Sequence, residues 1–193
     1  MAAANQRGFS MIEVLVSLVI AVIGLLGLVG IQAFAHQAEL ESYQRAQALI
    51  LLNDMAERIN ANRASAACYA FTDAAAGTPH LGTTGADYLG TPNCSSGFVN
   101  TQTRLLANSD MAEWDAALQG AAEKDSAGTS LGAMVGARGC VSFDAATSIF
   151  TVVVAWQGMT ETFEPVVKCG TTHYGPETRR RAVWTTIRIA TLS

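Results

Sequence analysis

Between Val14 and Ile31 the chain is apolar except for Ser17 and three glycines, with no ionisable side chain. About 20 such residues, each rising about 1.5 Å along a helix, cross a hydrocarbon layer of about 30 Å, so the run predicts one membrane-spanning helix. The pattern then changes. Tyr43, Ala46, Leu49, Leu52, Ala56 and Ile59 recur at steps of three and four, a stripe suited to one protein partner. Arg45, Asn53, Asp54, Glu57, Arg58 and Asn60 lie largely off that stripe and read as a solvated face. No proline interrupts Phe9 to Asn62. An unbroken helix there would be a rod of about 80 Å, apolar all round in its first half and amphipathic in its second.

Downstream the hydrophobic pattern fades and then returns with a period of two. Residues 64–104 are rich in Ala, Gly, Thr and Ser, contain Pro79 and Pro92, and read as loop with a short strand at Phe98–Asn100. Asp110 with Glu113 three residues later suggests a helix N-terminus, and Met111, Trp114 and Leu118 form a stripe that stops near Gly120. Trp114 is expected in the core. Cys140–Phe143, Ile149–Trp156 and Val183–Ala190 are β-branched and aromatic runs, the first two joined by a hairpin over Asp144–Ser148. The fold class that buries both apolar faces is α+β: the long helix packed on a C-terminal antiparallel sheet of three to four strands. The loop from Gly158 to Arg181 is a candidate contact surface.

One carboxylate, Glu13, stands at the mouth of the apolar run. At mid-bilayer it would cost about 2.5 to 3.5 kcal/mol and less near the interface, so its presence suggests a function. Arg7 and the amino terminus precede the span, and His36, Glu39 and Glu41 follow it, which keeps the leader cytoplasmic and exports the remainder. Three readings compete. A secretory signal peptide would be cut after Ala33-Phe34-Ala35, but the apolar stretch is too long and contains Glu13. A plain anchor accounts for the length and leaves Glu13 reaching incidentally for the headgroups.

The third reading comes from Gly8-Phe9-Ser10-Met11-Ile12-Glu13-Val14-Leu15-Val16. This segment resembles the prepilin leader junction of type IV pilins and of type II secretion pseudopilins. The resemblance implies cleavage by prepilin peptidase between Gly8 and Phe9, N-methylation of Phe9, and an assembly role for Glu13. Residues 23–32, Arg45-Ala46-Gln47-Ala48 and residues 53–63 are further similar to the PilV family of minor pilins, the type IV pilus modification proteins. The implied organisation is a leader over 1–8, a transmembrane and assembly half-helix over 9–35, an amphipathic half over 36–63, and a periplasmic head over 64–193. Implied partners are prepilin peptidase, other minor pilins, the major pilin and a tip adhesin. The implied location is the bacterial inner membrane, then the pilus at the cell surface. A minor pseudopilin of type II secretion is the nearest alternative, and a pilus-associated receptor or adhesin subunit binding DNA or a surface ligand is another.

Gly24, Gly27 and Gly30 each cost about 1 kcal/mol relative to alanine in a helix. Their i, i+3 spacing departs from the i, i+4 pattern of close helix dimers, which favours local bending. A formal charge of -4 gives no electrostatic case for nucleic acid or an anionic surface. Arg179-Arg180-Arg181 is the only basic run and, lacking interleaved aromatics, reads as an exposed loop entering a strand.

Four cysteines, Cys68, Cys94, Cys140 and Cys169, follow the span and match no C-x-x-C unit, so they read as disulfides in an oxidising compartment. Three pairings are possible. Neighbour pairing is favoured because each bond closes a loop rich in Gly, Thr and Ser. No cofactor, metal site or enzymatic activity is expected. Gly128-Thr129-Ser130-Leu131-Gly132 has the spacing of a nucleophile elbow, but polar Glu123-Lys124-Asp125 stands where a buried strand is needed. His36, His80 and His173 are scattered, without metal-ligand spacing.

Overall fold

The computed structural model describes residues 8, 10–94, 100–121, 126–128 and 134–189. The chain divides into two compact units, Met1–Leu40 and Glu41–Ser193. Helix α1, Met11–Ala61, begins in the first and ends in the second. Within the first unit every described residue is exposed. Helical structure continues unbroken across Gly24, Gly27 and Gly30, so the expected bending does not interrupt it, and a Cβ added at any of the three would meet nothing within 4 Å.

In the second unit α1 buries Gln44, Ala48, Leu52, Met55 and Ile59. This corrects the stripe read from the sequence. Leu52 and Ile59 do face inward, whereas Tyr43 and Leu49 are 48% and 41% exposed, Ala46 is exposed and Ala56 half-buried. The reason is geometric. At 3.6 residues per turn each step of three slips backward by about 60°, so three such steps carry Tyr43 to the side of the helix opposite Leu52. The observed steps of four, four, three and four largely cancel that slip.

A 3-10 helix over Arg63–Tyr69 follows, then the two-residue strand β1, Leu81–Gly82, and helix α2, Thr101–Leu118. Helix α2 starts well before the expected N-terminus at Asp110. Its cap is Asn100, whose side-chain oxygen accepts from the Gln102 N–H at 2.9 Å. The early turns escaped the hydrophobic pattern because Leu105 and Leu106 point outward, 59% and 51% exposed, while the inward face carries Ala107 and Asp110. Of the strand expected at Phe98–Asn100, residues 98 and 99 lie outside the described residues and Asn100 serves as the cap.

The sheet has four strands in the order β1-β2-β3-β4, every pair antiparallel. Strand β2 is Arg138–Asp144, β3 Ile149–Gln157 and β4 Arg180–Arg188, each containing or overlapping the run anticipated for it. The hairpin at 144–148 forms as expected, with Ser148 at φ 55° and the Asp144 carboxylate accepting from Ala146 N and Thr147 Oγ1 at 2.9 and 2.8 Å. Phe150, Val152, Val154 and Trp156 join the main core with Leu52, Met55, Ile59, Met111 and Trp114. Their alternates Val153 and Ala155 join a second cluster with Cys140, Cys169 and Tyr174. Strand β3 is therefore covered on both faces, as its nearly continuous apolar run requires.

Trp114 fixes the mutual seat of these elements. It is fully buried, its indole N–H donates to the Leu51 carbonyl of α1 at 2.9 Å, and its ring lies against Gly139 of β2. A Cβ at position 139 would sit 2.2 Å from the indole Cη2 and 2.6 Å from Leu118 Cδ1. Gly139→Ala should therefore cost about 1 to 3 kcal/mol through overpacking, seen as a lower urea midpoint with unchanged slope. A wild-type midpoint would show that the indole is not seated on the strand.

Candidate functional site

Two regions carry the residues of interest, one in each unit. In the N-terminal unit, Ser10 caps α1: its Oγ accepts from the Ile12 N–H at 3.2 Å and its carbonyl from the Glu13 N–H at 3.1 Å. Glu13 occupies the third helical position, in the first turn, where a carboxylate opposes the positive end of the helix dipole. Gly8 and Ser10 precede the helix, and Phe9 lies outside the described residues. The helix that follows is long and apolar enough to cross a membrane, with a mean hydropathy of 3.0 over its most apolar 18 residues and none of that window buried.

The head is fastened by two disulfides, Cys68–Cys94 and Cys140–Cys169, each joining cysteines adjacent in chain order. The second ties β2 to the segment between β3 and β4. That segment is also gripped by the arginine run, which corrects its reading as an exposed loop. Arg180 is fully buried; its Nε donates to Glu177 at 2.6 Å, and its two terminal nitrogens reach the carbonyls of Val167, Cys169 and Pro165. Arg181 donates to the Thr160 carbonyl at 2.8 Å and to Glu41 at 3.2 Å. Arg179 lies 3.6 Å from Glu161. Burial pushes the Glu177 carboxyl up, but the Thr172 N–H and Arg180 outweigh it and hold the group below the ordinary glutamate range. Phe163 and Val166 remain 95% and 77% exposed on the loop so held.

Other groups come together that spacing in the sequence did not reveal. Arg58, read as a surface residue, pairs with Asp54, Asp110 and Glu113 at 3.0, 2.9 and 2.8 Å. Asp110 also accepts from the hydroxyl of buried Tyr69, whose pKa is raised by burial and by that carboxylate. This set joins α1 to α2. His80 and His173 meet edge to face with ring centroids 5.2 Å apart. Arg138 Nε donates to His80 Nε2 at 3.2 Å, and the same nitrogen lies 3.1 Å from the Ala86 carbonyl. His36 belongs to the N-terminal unit, 3.4 Å from Glu39. Among the described residues no group of His, Cys, Asp or Glu has the arrangement of a metal site. Residues 129–132 of the nucleophile-elbow spacing lie outside the described residues.

The order of these parts, a capped apolar helix with an acid in its first turn leading into a disulfide-bonded α+β head, agrees with what comparison shows. Residues 3–29 match the model of the prokaryotic N-terminal methylation motif, and residues 30–117 match that of type IV pilin Tt1218. Over both stretches the chain is similar to type IV pilins. The two matches abut and together cover more than half of its length. No curated protein and no solved structure gives a match. Type IV pilins are structural proteins and not enzymes, and the methylation motif implies processing by prepilin peptidase. Type IV pilins with such a hydrophobic N-terminal helix generally reside in the membrane and then in the pilus.

For the head, the Cys140–Cys169 bond closes a loop with a sequence separation of 29. The chain-entropy model assigns such a loop about 3.5 kcal/mol. Replacing both cysteines by serine should lower stability by up to that amount and expose residues 158–179 to protease. Equal urea midpoints for the two proteins would show that the arginine contacts alone hold the loop.

Proposed function

We propose that this chain is a minor pilin of the PilV type, which takes part in starting or modifying type IV pilus assembly by packing with other minor pilins and the major pilin. In this reading prepilin peptidase removes residues 1–8, Phe9 is N-methylated, residues 9–35 serve as membrane span and then as assembly helix, residues 36–63 join it to the head, and 64–193 form the periplasmic head. The similarity of residues 23–32, 45–48 and 53–63 to PilV proteins supports the subtype. A tip adhesin is a partner of the head in the same scheme.

The observation that carries the proposal is Glu13 in the first turn of a helix that is apolar from Val14 to Ile31 apart from Ser17 and three glycines, and exposed throughout the N-terminal unit. In a bundle of such helices a lone carboxylate would be a buried, unpaired charge. The amine of Phe9 on an adjacent subunit is the cation that removes this cost, and a pair of that kind fixes axial register.

Glu13→Ala should reach the membrane normally, since it only removes a charge from the span, yet be depleted from sheared pili. Breaking one side of a buried pair costs about 3 to 5 kcal/mol, so a loss of at least about tenfold is expected by immunoblot. Incorporation of the variant at wild-type levels would remove the pairing mechanism. Intact-mass analysis of assembled material should give a chain beginning at methylated Phe9. Retention of residues 1–8 there would overturn the proposed processing.

A further inference from the structure

The histidine pair in the head, His80 buried and His173 partly exposed, has no part in the assembly mechanism, yet it sits where two loops meet. His80 is fully buried at the base of the 80–89 loop, with its own N–H donating to the Asp87 carbonyl and its carbonyl accepting from Leu89 N. Its Nδ1 lies 3.3 Å from the Leu81 carbonyl. Arg138 of β2 donates Nε–H to His80 Nε2, so that nitrogen must be unprotonated and Nδ1 carries the ring hydrogen. From the segment just beyond Cys169, His173 meets the His80 ring in a T-shaped contact and places Nε2 3.3 Å from Asp87 Oδ2. Arg138 also spans to that segment, lying 4.9 Å from the Tyr174 ring centroid, while the Tyr174 hydroxyl donates to the Gly136 carbonyl at 2.8 Å. Helix α2 contributes Asp115, which holds the 80–89 loop through Gly82 N and the Tyr88 hydroxyl at 2.6 and 2.7 Å.

We propose that His80 is an acid-sensitive latch between the 80–89 loop and the segment that follows Cys169, engaged when its ring is neutral and released when Nε2 takes up a proton. Protonation turns Nε2 from an acceptor into a donor. The new N–H has a partner ready in the Ala86 carbonyl at 3.1 Å, but Arg138 loses its acceptor and is left as a cation against a cation. Movement of Arg138 withdraws it from Tyr174 and loosens the contact that holds residues 173 and 174 against the 80–89 loop. Asp87, about half exposed, lies against His173 and not against Arg138, which keeps its bond to the Gly136 carbonyl at 3.1 Å.

Burial first, and then Arg138, hold His80 below the ordinary imidazole range, against the pull of the Ala86 and Leu81 carbonyls. The sign follows by linkage: the open form binds the proton more readily, so the closed form is favoured above about pH 6.5 and loses ground as the pH falls below it. Glu177, the carboxylate that secures the same segment, stays ionised through that interval, since its pKa lies below the ordinary value. The latch stands independently of the minor-pilin reading.

Amide exchange of the full-length protein in detergent micelles tests this at pH 7.5 and 5.0, with rates corrected for intrinsic chemistry. Opening of peptides covering 80–89 and 169–175 should rise at the lower pH. His80→Gln, which can still accept from Arg138 but does not titrate in this range, should abolish the rise, and His173→Gln should keep most of it. Opening that is independent of pH in the wild type, or equally dependent in folded His80→Gln, would overturn the latch. Should that variant fail to fold, the ring resonances of the wild-type histidines decide: a His80 titration midpoint below 6.5 supports the latch, and one at or above it overturns the latch.

Discussion

An apolar helix without cover of its own is the constraint on which this molecule turns. The first part of α1 exposes side chains such as Ile12, Leu15, Leu26 and Ile31, each 60% or more accessible. Water cannot be its permanent surroundings, because each large apolar side chain left wet forgoes about 1.5 to 3 kcal/mol. Lipid can cover it, and so can other helices of the same kind. A pilin uses both in succession, and the same segment therefore has to satisfy two solvents. Its only ionisable side chain, Glu13, lies at the end, where the bilayer tolerates a carboxylate and where a helix start welcomes one.

The head solves a different problem, since it must remain folded whether or not the helix before it is covered. It does so with a core of its own, in which the last turns of α1 lie against α2 and the sheet, with Trp114 joining all three. The far face of the sheet is closed by the loop carrying Cys169 and Tyr174. Both disulfides lie in this unit, so the covalent fastening of the head belongs to an oxidising compartment, in agreement with export across the membrane.

Much of this was legible in the sequence wherever a residue's role depends on its neighbours along the chain. The span, the acid at its mouth, the hairpin at 144–148 and its two strands were all visible, because each is a local period or a turn signal. The assembly motif was legible through resemblance. What escaped depends on partners distant in sequence. The inward face of α1 was misplaced because Gln44 and Ala48 are not strongly apolar, and only the neighbouring sheet and α2 select them over Tyr43 and Leu49. The first turns of α2 were missed because their inward face is partly polar, with Asp110 made tolerable by Arg58 and Tyr69. The arginine run looked solvated because many of its acceptors are main-chain carbonyls, which no side-chain pattern displays, and one carboxylate, Glu41, stands far away in the sequence.

That last feature bears on how such a head can change over time. Arg180 shapes the loop through the main-chain oxygens of Pro165, Val167 and Cys169, and these are present whatever side chains the loop carries. The bonds of Arg180 go to these carbonyls and to Glu177, and the exposed side chains between them, Val166 and Lys168, are not among its partners. Substitutions there could therefore alter what the surface recognises while its backbone keeps its course, so one buried guanidinium lets the loop diversify on a fixed scaffold.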